Sequence, residues 1–282
     1  MAKGKIRVAT CQFAETFQPR RNAAIILRYM QKARKQRAEL VHFHEAALSG
    51  YLARNDSPMT EAQWAALRES TERILAEAKR LKLWVVLASA HRLTGPHKPT
   101  NCLYLIGPDG RIRDRYDKRF CTSGDLKAYT PGNRFVTFTL NGVKCALLIC
   151  FDLRFPELYR ELVKRGVQAV FQSFHNGYMD GPGPHNHIMR QTMQAHAGIN
   201  YMWMSVPNSS GYYSRWPSVF VQPDGVIAAS LRQNVAGVMV NTLDTTKKFY
   251  DASGSARPRA IKGILHTGTL VSDPRMENRR SL

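Results

Sequence analysis

Apolar positions fall into short blocks separated by polar turns, and their spacing separates strands from helices. Lys5 to Phe13 reads as a first strand. Asn22 to Lys35 repeats Ala24, Ile25, Leu27, Met30 and Ala33 at helical spacing with basic outer positions. Glu39 to Phe43 is a short strand ending in His44-Glu45, and Glu61 to Lys82 is an amphipathic helix through Trp64, Leu67, Ile74, Leu75, Ala78 and Leu81. Leu83 to Ala90 is almost wholly apolar, as a strand buried on both faces must be. Three turns predict hairpins: Gly107-Pro108-Asp109-Gly110 joins Asn101–Ile106 to Arg111–Tyr116, Asn141-Gly142 joins Arg134–Leu140 to Val143–Ile149, and Pro223-Asp224-Gly225 joins Ser218–Gln222 to Val226–Ser230. Between them the pattern predicts helices over Leu158–Lys164 and His187–Gly198, and strands over Gln168–Ser173 and Tyr201–Val206. Val235–Asn241 is the last strand expected, and the polar remainder from Asp244 reads as a tail packed over its own or a neighbouring subunit. Strands mixed with helices and hairpins imply an α/β chain with mixed sheets and helices outside.

Composition narrows the class. A chain of 282 residues with 44% apolar and 22% charged content fits a globular protein with a sizeable core. No apolar run is long enough for a membrane helix, and the start of the chain lacks a signal-peptide stretch. Cys11, Cys102, Cys121, Cys145 and Cys150 are odd in number and widely spaced, which argues for a reducing, cytoplasmic setting. The formal net charge of +20 suggests anionic partners, but the cations are scattered and no nucleic-acid signature accompanies them. Solvated basic faces are therefore expected, and nucleic acid is not the expected partner.

One stretch carries chemistry. Ala146 to Ile149 predicts a buried strand, Cys150 ends it, and Pro156 sits where a helix begins. A thiol beside a helix N-terminus meets outward N–H groups that favour a thiolate and a neighbouring oxyanion. A buried structural cysteine is the commoner fate of such a residue, so the stretch alone leaves both readings open. Glu45 and Lys118 likewise follow strand ends, and one sheet rim is expected to gather all three. Base, cation and thiol together are the set that acyl transfer from an amide needs.

His44-Glu45-Ala46-Ala47-Leu48-Ser49-Gly50-Tyr51, Tyr116-Asp117-Lys118, Tyr129-Thr130-Pro131-Gly132 and Cys150-Phe151-Asp152-Leu153-Arg154-Phe155-Pro156-Glu157 stand in the order found in carbon–nitrogen hydrolases. From about Lys5 to Leu243 the chain resembles that family, the nitrilase superfamily. The resemblance implies a four-layer α-β-β-α sandwich over residues 1–243, with residues 244–282 as the tail. It implies a Glu45, Lys118, Cys150 catalytic set and no metal or organic cofactor. It also implies a homodimer or larger assembly built through outer helices. The family's second glutamate falls, seven residues before Gly132, on Asp125. His44, His196 and Ile199 replace the family's usual Pro, Arg and Glu.

On this resemblance Glu45 takes the thiol proton, and Lys118 with the backbone N–H of Phe151 holds the oxyanion. The residues after Cys150 resemble the amidase-like branch that includes ω-amidases, which implies a small amide substrate. N-carbamoyl amides and nitriles are the alternatives on the same set. Tyr51, Arg154, His175 and Asn176 are candidate substrate contacts. For Arg154 two readings stand, a substrate carboxylate or an ion pair with a residue such as Glu157. His42 and His44 share a strand face, where packing is expected over metal ligation. A non-catalytic basic scaffold that binds nucleic acid is the alternative of another class. No serine-hydrolase elbow, P-loop or dinucleotide fingerprint is present.

Overall fold

The computed structural model describes residues 3–55 and 57–280. Met1, Ala2, Asp56, Ser281 and Leu282 lie outside the described residues, and with them the two outer ends of the expected 1–243 and 244–282 division. The chain forms two compact units, one ending at Tyr250 and one beginning at Asp251.

The first unit holds two six-stranded sheets. The first sheet contains β1 (Lys5–Gln12), β2 (Leu40–Phe43), β3 (Trp84–His91), β4 (Thr100–Ile106), β5 (Ile112–Asp117) and β12 (Gly237–Asp244), in the order β12-β1-β2-β3-β4-β5. The second contains β6 (Thr137–Leu140), β7 (Val143–Ile149), β8 (Ala169–Ser173), β9 (Trp203–Val206), β10 (Val219–Val221) and β11 (Ile227–Ser230), in the order β11-β10-β9-β8-β7-β6. Each sheet has a parallel centre, β1-β2-β3 or β7-β8-β9, edged by antiparallel strands. Helices α1 (Pro19–Lys35) and α2 (Glu61–Leu81) pack together beside the first sheet, and α4 (Pro156–Lys164) and α5 (His185–Asn200) beside the second. The short α3 (Asp125–Ala128) lies between β5 and β6. This is the four-layer α-β-β-α sandwich. In the second unit, α6 (Arg257–Ile261) and α7 (Pro274–Glu277) are single short turns.

The three expected hairpins form, and Asn141-Gly142 takes positive φ at both residues, as a two-residue turn between right-twisted strands requires. Several expectations shift. Helix α1 begins at Pro19 rather than Asn22, with proline in its first turn. Its buried stripe is Asn22, Ala23, Ile26, Tyr29, Met30 and Ala33, so Ala24 faces solvent. The Asn22 amide pins that face by donating to the carbonyls of Thr16 (2.6 Å) and Leu48 (3.0 Å). The last strand runs over Gly237–Asp244, because it pairs along the whole of β1 from Gln12 to Lys5. Lys82, expected in a helix, turns left-handed and ends α2 one residue earlier.

Between the sheets the core is not wholly apolar. Ser173 donates to the Phe43 carbonyl at 2.8 Å, so its oxygen accepts from His42 Nε2 at 2.9 Å. The His42 Nδ1 then accepts from Ser205 (3.0 Å), which is joined to Thr10 (2.9 Å). One directed chain thus crosses from β1 and β2 to β8 and β9. Burial and the neighbouring His44 hold the His42 pKa well below the usual range, so the ring stays neutral. Both of its nitrogens are engaged by serines, and among the described residues no three His, Cys, Asp or Glu side chains gather as metal ligands. His42→Ala removes the centre of this chain, opens a cavity between the sheets and takes one partner from each of the Ser173 and Ser205 hydroxyls. We expect a loss of about 2–4 kcal/mol of stability, measured by urea unfolding, against less than about 1.5 kcal/mol for Thr10→Ser at the chain's end.

Candidate active site

Each central residue sits just past a strand, but the strands belong to both sheets. Glu45 follows β2, and its N–H donates across the sandwich to the Phe174 carbonyl at 3.1 Å. Lys118 follows β5, tied at its N–H to the Asn101 carbonyl and at its carbonyl to the Gly132 N–H, each 2.8 Å. The Pro131-Gly132 motif owes its glycine to this crossing, where a Cβ at 132 would stand 2.4 Å from the Asp117 carbonyl oxygen. Cys150 follows β7 with φ 42°, a left-handed backbone that costs energy for any residue with a side chain. Asp152 holds this turn. Its carboxylate accepts from the Ile149 N–H (2.9 Å), the Phe120 N–H (3.0 Å) and the Tyr116 hydroxyl (2.7 Å). The Cys150 turn is thereby fastened to residues flanking Lys118 on both sides.

Lys118, Glu45 and Asp125 converge in a place almost closed to solvent. Lys118 Nζ donates to Glu45 Oε1 at 2.8 Å and to Asp125 Oδ2 at 2.9 Å, and all three side chains are at most 1% exposed. The shorter Asp125 therefore reaches the ammonium directly. It does so from the first turn of α3, where Thr122 donates to it through N–H (2.9 Å) and hydroxyl (3.0 Å). The Tyr51 hydroxyl donates to its other oxygen at 2.6 Å. Glu45 also accepts from Asn101 Nδ2 (2.7 Å) and from the His175 backbone N–H (2.8 Å). Burial works against the Lys118 charge, yet the carboxylates of Glu45 and Asp125 hold its pKa well above the usual range. Asp125 is held low: burial opposes its charge, but Lys118, the Tyr51 hydroxyl and Thr122 more than offset that.

Cys150 is half-buried, and its pKa stands well above that of a free thiol. Burial is the main cause; Glu45 and Asp125 add to it, while Lys118 and the His175 N–H oppose it. The resting residue is a thiol within the field of all three charged side chains.

The remaining candidates divide. Tyr51 and His175 stack at 4.6 Å and line a cavity of about 490 Å³ with Phe17, Arg54 and Tyr178. Phe151 packs edge-on against Phe155. Asn176 is a loop clamp, its N–H donating to Asn208 Oδ1 (2.8 Å) and its side-chain oxygen accepting from the Arg215 N–H (3.3 Å). Arg154 lies near His185, whose pKa is lowered by burial first and then by Arg154 and Arg215. His196 stacks on Tyr159 and meets the Leu153 carbonyl at 3.0 Å, so it braces the Cys150 turn. Sequence reasoning missed Asn101, Asp152 and Glu15. Asp152 stood two residues past Cys150, and Asn101 opened an expected strand. Glu15, a lone acid among Phe13, Ala14 and Phe17, had only its apolar neighbours to mark it.

A family model for carbon–nitrogen hydrolases matches residues 7–248. The chain belongs to the carbon–nitrogen hydrolase family. This hydrolase is 29% identical over 220 residues to an (R)-stereoselective amidase of a Pseudomonas species, covering 74% of this chain and 75% of that protein. It is 29% identical over 173 residues to a hydrolase of Mycobacterium tuberculosis, with 58% of this chain matched and 59% of that protein's length spanned. Its fold superposes with a TM-score of 0.75 on an amidase of the nitrilase superfamily from Nesterenkonia sp. AN1, at 21% identity, covering 93% of this chain and 98% of that one. In another structure of that amidase the acetamide moiety of fluoroacetamide is covalently added at the active-site cysteine.

Among the described residues no helix of the hydrolase is long and apolar enough to cross a membrane. Gly132→Ala tests the backbone crossing beside Lys118. The added methyl must displace the Asp117–Lys118 segment, and we expect kcat/KM to fall by about 100-fold. Stability should fall by about 1–3 kcal/mol. Steady-state kinetics and urea unfolding on the same preparation check both.

Proposed function

We propose that this hydrolase cleaves the C–N bond of a small linear amide through a thioester on Cys150. The observation that carries the reading is that the ammonium of Lys118 is held by Glu45 and Asp125 while its charge reaches a Cys150 that rests as a thiol. A lysine so tightly paired stays charged and cannot serve as the base. A thiol kept protonated by burial needs a base at the moment of attack, and Glu45 is the carboxylate beside it. Glu45 takes the sulfur proton as the sulfur bonds to the carbonyl carbon. The carbonyl oxygen, now negative, is held by Lys118 and by the backbone N–H of Phe151. Glu45 returns the proton to the departing nitrogen, the C–N bond breaks, and ammonia or an amine leaves. Glu45 then takes a proton from water, whose oxygen displaces the sulfur to give the carboxylic acid, and Glu45 passes that proton to the departing sulfur, which restores the thiol.

Tyr51 and His175 line the 490 Å³ cavity and also bond the charged centre, Tyr51 through its hydroxyl to Asp125 and His175 through its N–H to Glu45, which supports their place in substrate binding. Phe151 serves through its backbone N–H, and Asn176 holds the neighbouring loop through Asn208 and Arg215; Arg154 remains a candidate for a substrate carboxylate. An amide is favoured over a nitrile by the Phe151-Asp152 sequence after the nucleophile and by the amidases among the relatives. We also propose a cytoplasmic enzyme, because all five thiols are free. It works as a homodimer or larger assembly; exposed Leu265, Leu270, Val271 and Met276 in the tail support packing on the same or a neighbouring subunit.

Turnover of a panel of short amides, N-carbamoyl amines and nitriles tests the proposal. Amide hydrolysis should lead, Cys150→Ala should lose at least about 1000-fold in kcat, and intact mass should show an acyl adduct on the wild-type chain only. Turnover that survives Cys150→Ala would remove the mechanism.

A further inference from the structure

Beyond the last paired residue of β7 the chain is held by side chains. The parallel pairing of β7 with β8 ends at Ile149 opposite Ser173. The next carbonyl, that of Cys150, accepts from Gln172 Nε2 at 3.3 Å, so a side chain of β8 takes over where the backbone ladder stops. Gln172 is fully buried, and its oxygen accepts from the hydroxyl of Tyr159, a fully buried residue of α4. That bond orients the amide, because an oxygen turned to the tyrosine leaves the nitrogen to face Cys150. Burial is the main cause that pushes the Tyr159 pKa well above the usual range, so the hydroxyl keeps the proton it donates. The tyrosine ring is fixed in turn by His196 of α5, which stacks on it at 3.8 Å and nearly parallel.

The carbonyl held by Gln172 and the N–H of Phe151 belong to one peptide plane. In a trans peptide the two point in opposite directions, and the plane turns as a unit. A fixed Cys150 carbonyl therefore fixes the Phe151 N–H on the side away from Gln172. Phe151 is the second residue of the 3-10 segment Cys150–Arg154, where N–H groups have no partner within the segment. Asp152 holds the strand end before the cysteine, through the Ile149 N–H at 2.9 Å, but does not hold this plane. Rotation of the plane would change ψ of Cys150 and φ of Phe151. It would swing the N–H and leave the Cα, Cβ and sulfur of Cys150 nearly in place.

We propose that Gln172, oriented by Tyr159, is a positioning residue for amide hydrolysis: it locks the Cys150–Phe151 peptide plane so that the Phe151 N–H meets the oxygen that turns negative when the sulfur attacks. This rests on the reading of that N–H as an oxyanion donor. Gln172 acts through the backbone of the turn, and its loss disarms the donor while sparing the sulfur.

The test compares two reactions at one sulfur. Amide hydrolysis builds an oxyanion. Methyl methanethiosulfonate does not: the sulfur takes its methylthio group, methanesulfinate leaves, and the thiol proton goes to solvent. Gln172→Met removes the donor at nearly constant volume. On the best amide kcat should fall by about 10- to 100-fold with KM within about threefold of wild type, as for an interaction made only in the transition state. The aldehyde that carries hydrogen in place of that amide's nitrogen adds to Cys150 as a hemithioacetal, with its oxygen at the oxyanion position, and its Ki should rise by about the same factor. The rate of methylthiolation at Cys150, followed by intact mass with Cys150→Ala as the blank, should stay within about threefold of wild type. Tyr159→Phe removes only a hydroxyl and should show the same split at about 3- to 10-fold in kcat. It carries the test if Gln172→Met does not fold. A methylthiolation rate that falls together with kcat, a loss carried by KM alone, or an unchanged kcat would reduce Gln172 to a packing role and overturn the proposal. An aldehyde that binds wild type no more tightly than Cys150→Ala would overturn the functional reading instead.

Discussion

Lys118 keeps its ammonium where water hardly reaches, and two carboxylates make that possible. An unpaired charge there would be lost by deprotonation, since burial alone costs several kcal/mol. Glu45 and Asp125 offset that cost; the His175 N–H and the Tyr51 hydroxyl satisfy the two oxygens that Lys118 does not use, and Asn101 and Thr122 share the two that it does. Every neighbouring feature serves this arrangement. Gly132 admits the backbone that positions the lysine, α3 delivers Asp125, and Asp152 locks the cysteine turn to the same strand end.

The two sheets contribute unequally. The first supplies Glu45 and Lys118 from β2 and β5, and the second supplies Cys150 from β7. The site therefore exists only while the sandwich is closed. The chain from Thr10 through Ser205 and His42 to Ser173 fixes how the central strands of the two sheets meet, because a directed set of hydrogen bonds accepts one register where apolar side chains tolerate several. Exposed ion pairs such as Arg20–Glu69 and Arg68–Glu72 add little to this.

Much of this was legible in the chain. The Asn141-Gly142 and Gly107–Gly110 turns signalled their hairpins because backbone conformation is set locally. Glu45, Lys118 and Cys150 stood at strand ends, where a polar residue closing an apolar run faces the rim of a sheet. Their convergence from two sheets rather than along one rim was not legible, because strand order is a tertiary property. The inward face of α1 differed from its apolar spacing because a polar residue, Asn22, is the one pinned inward. Trp216 is fully buried although no strand or helix period marks it. Glu15 lacked a signal altogether, because its partner lies 160 residues away. A buried acid is recognisable only once its counter-charge is in view.

The backbone at Cys150 sits in the left-handed region, which glycine enters more easily than a residue with a side chain. Replacement by glycine would relax that turn and at the same stroke remove the sulfur. On the proposed mechanism, thermodynamic fitness and chemical competence thus pull against each other at one position. Attempts to harden this enzyme by easing its left-handed turns would, on that mechanism, have to pass this one by.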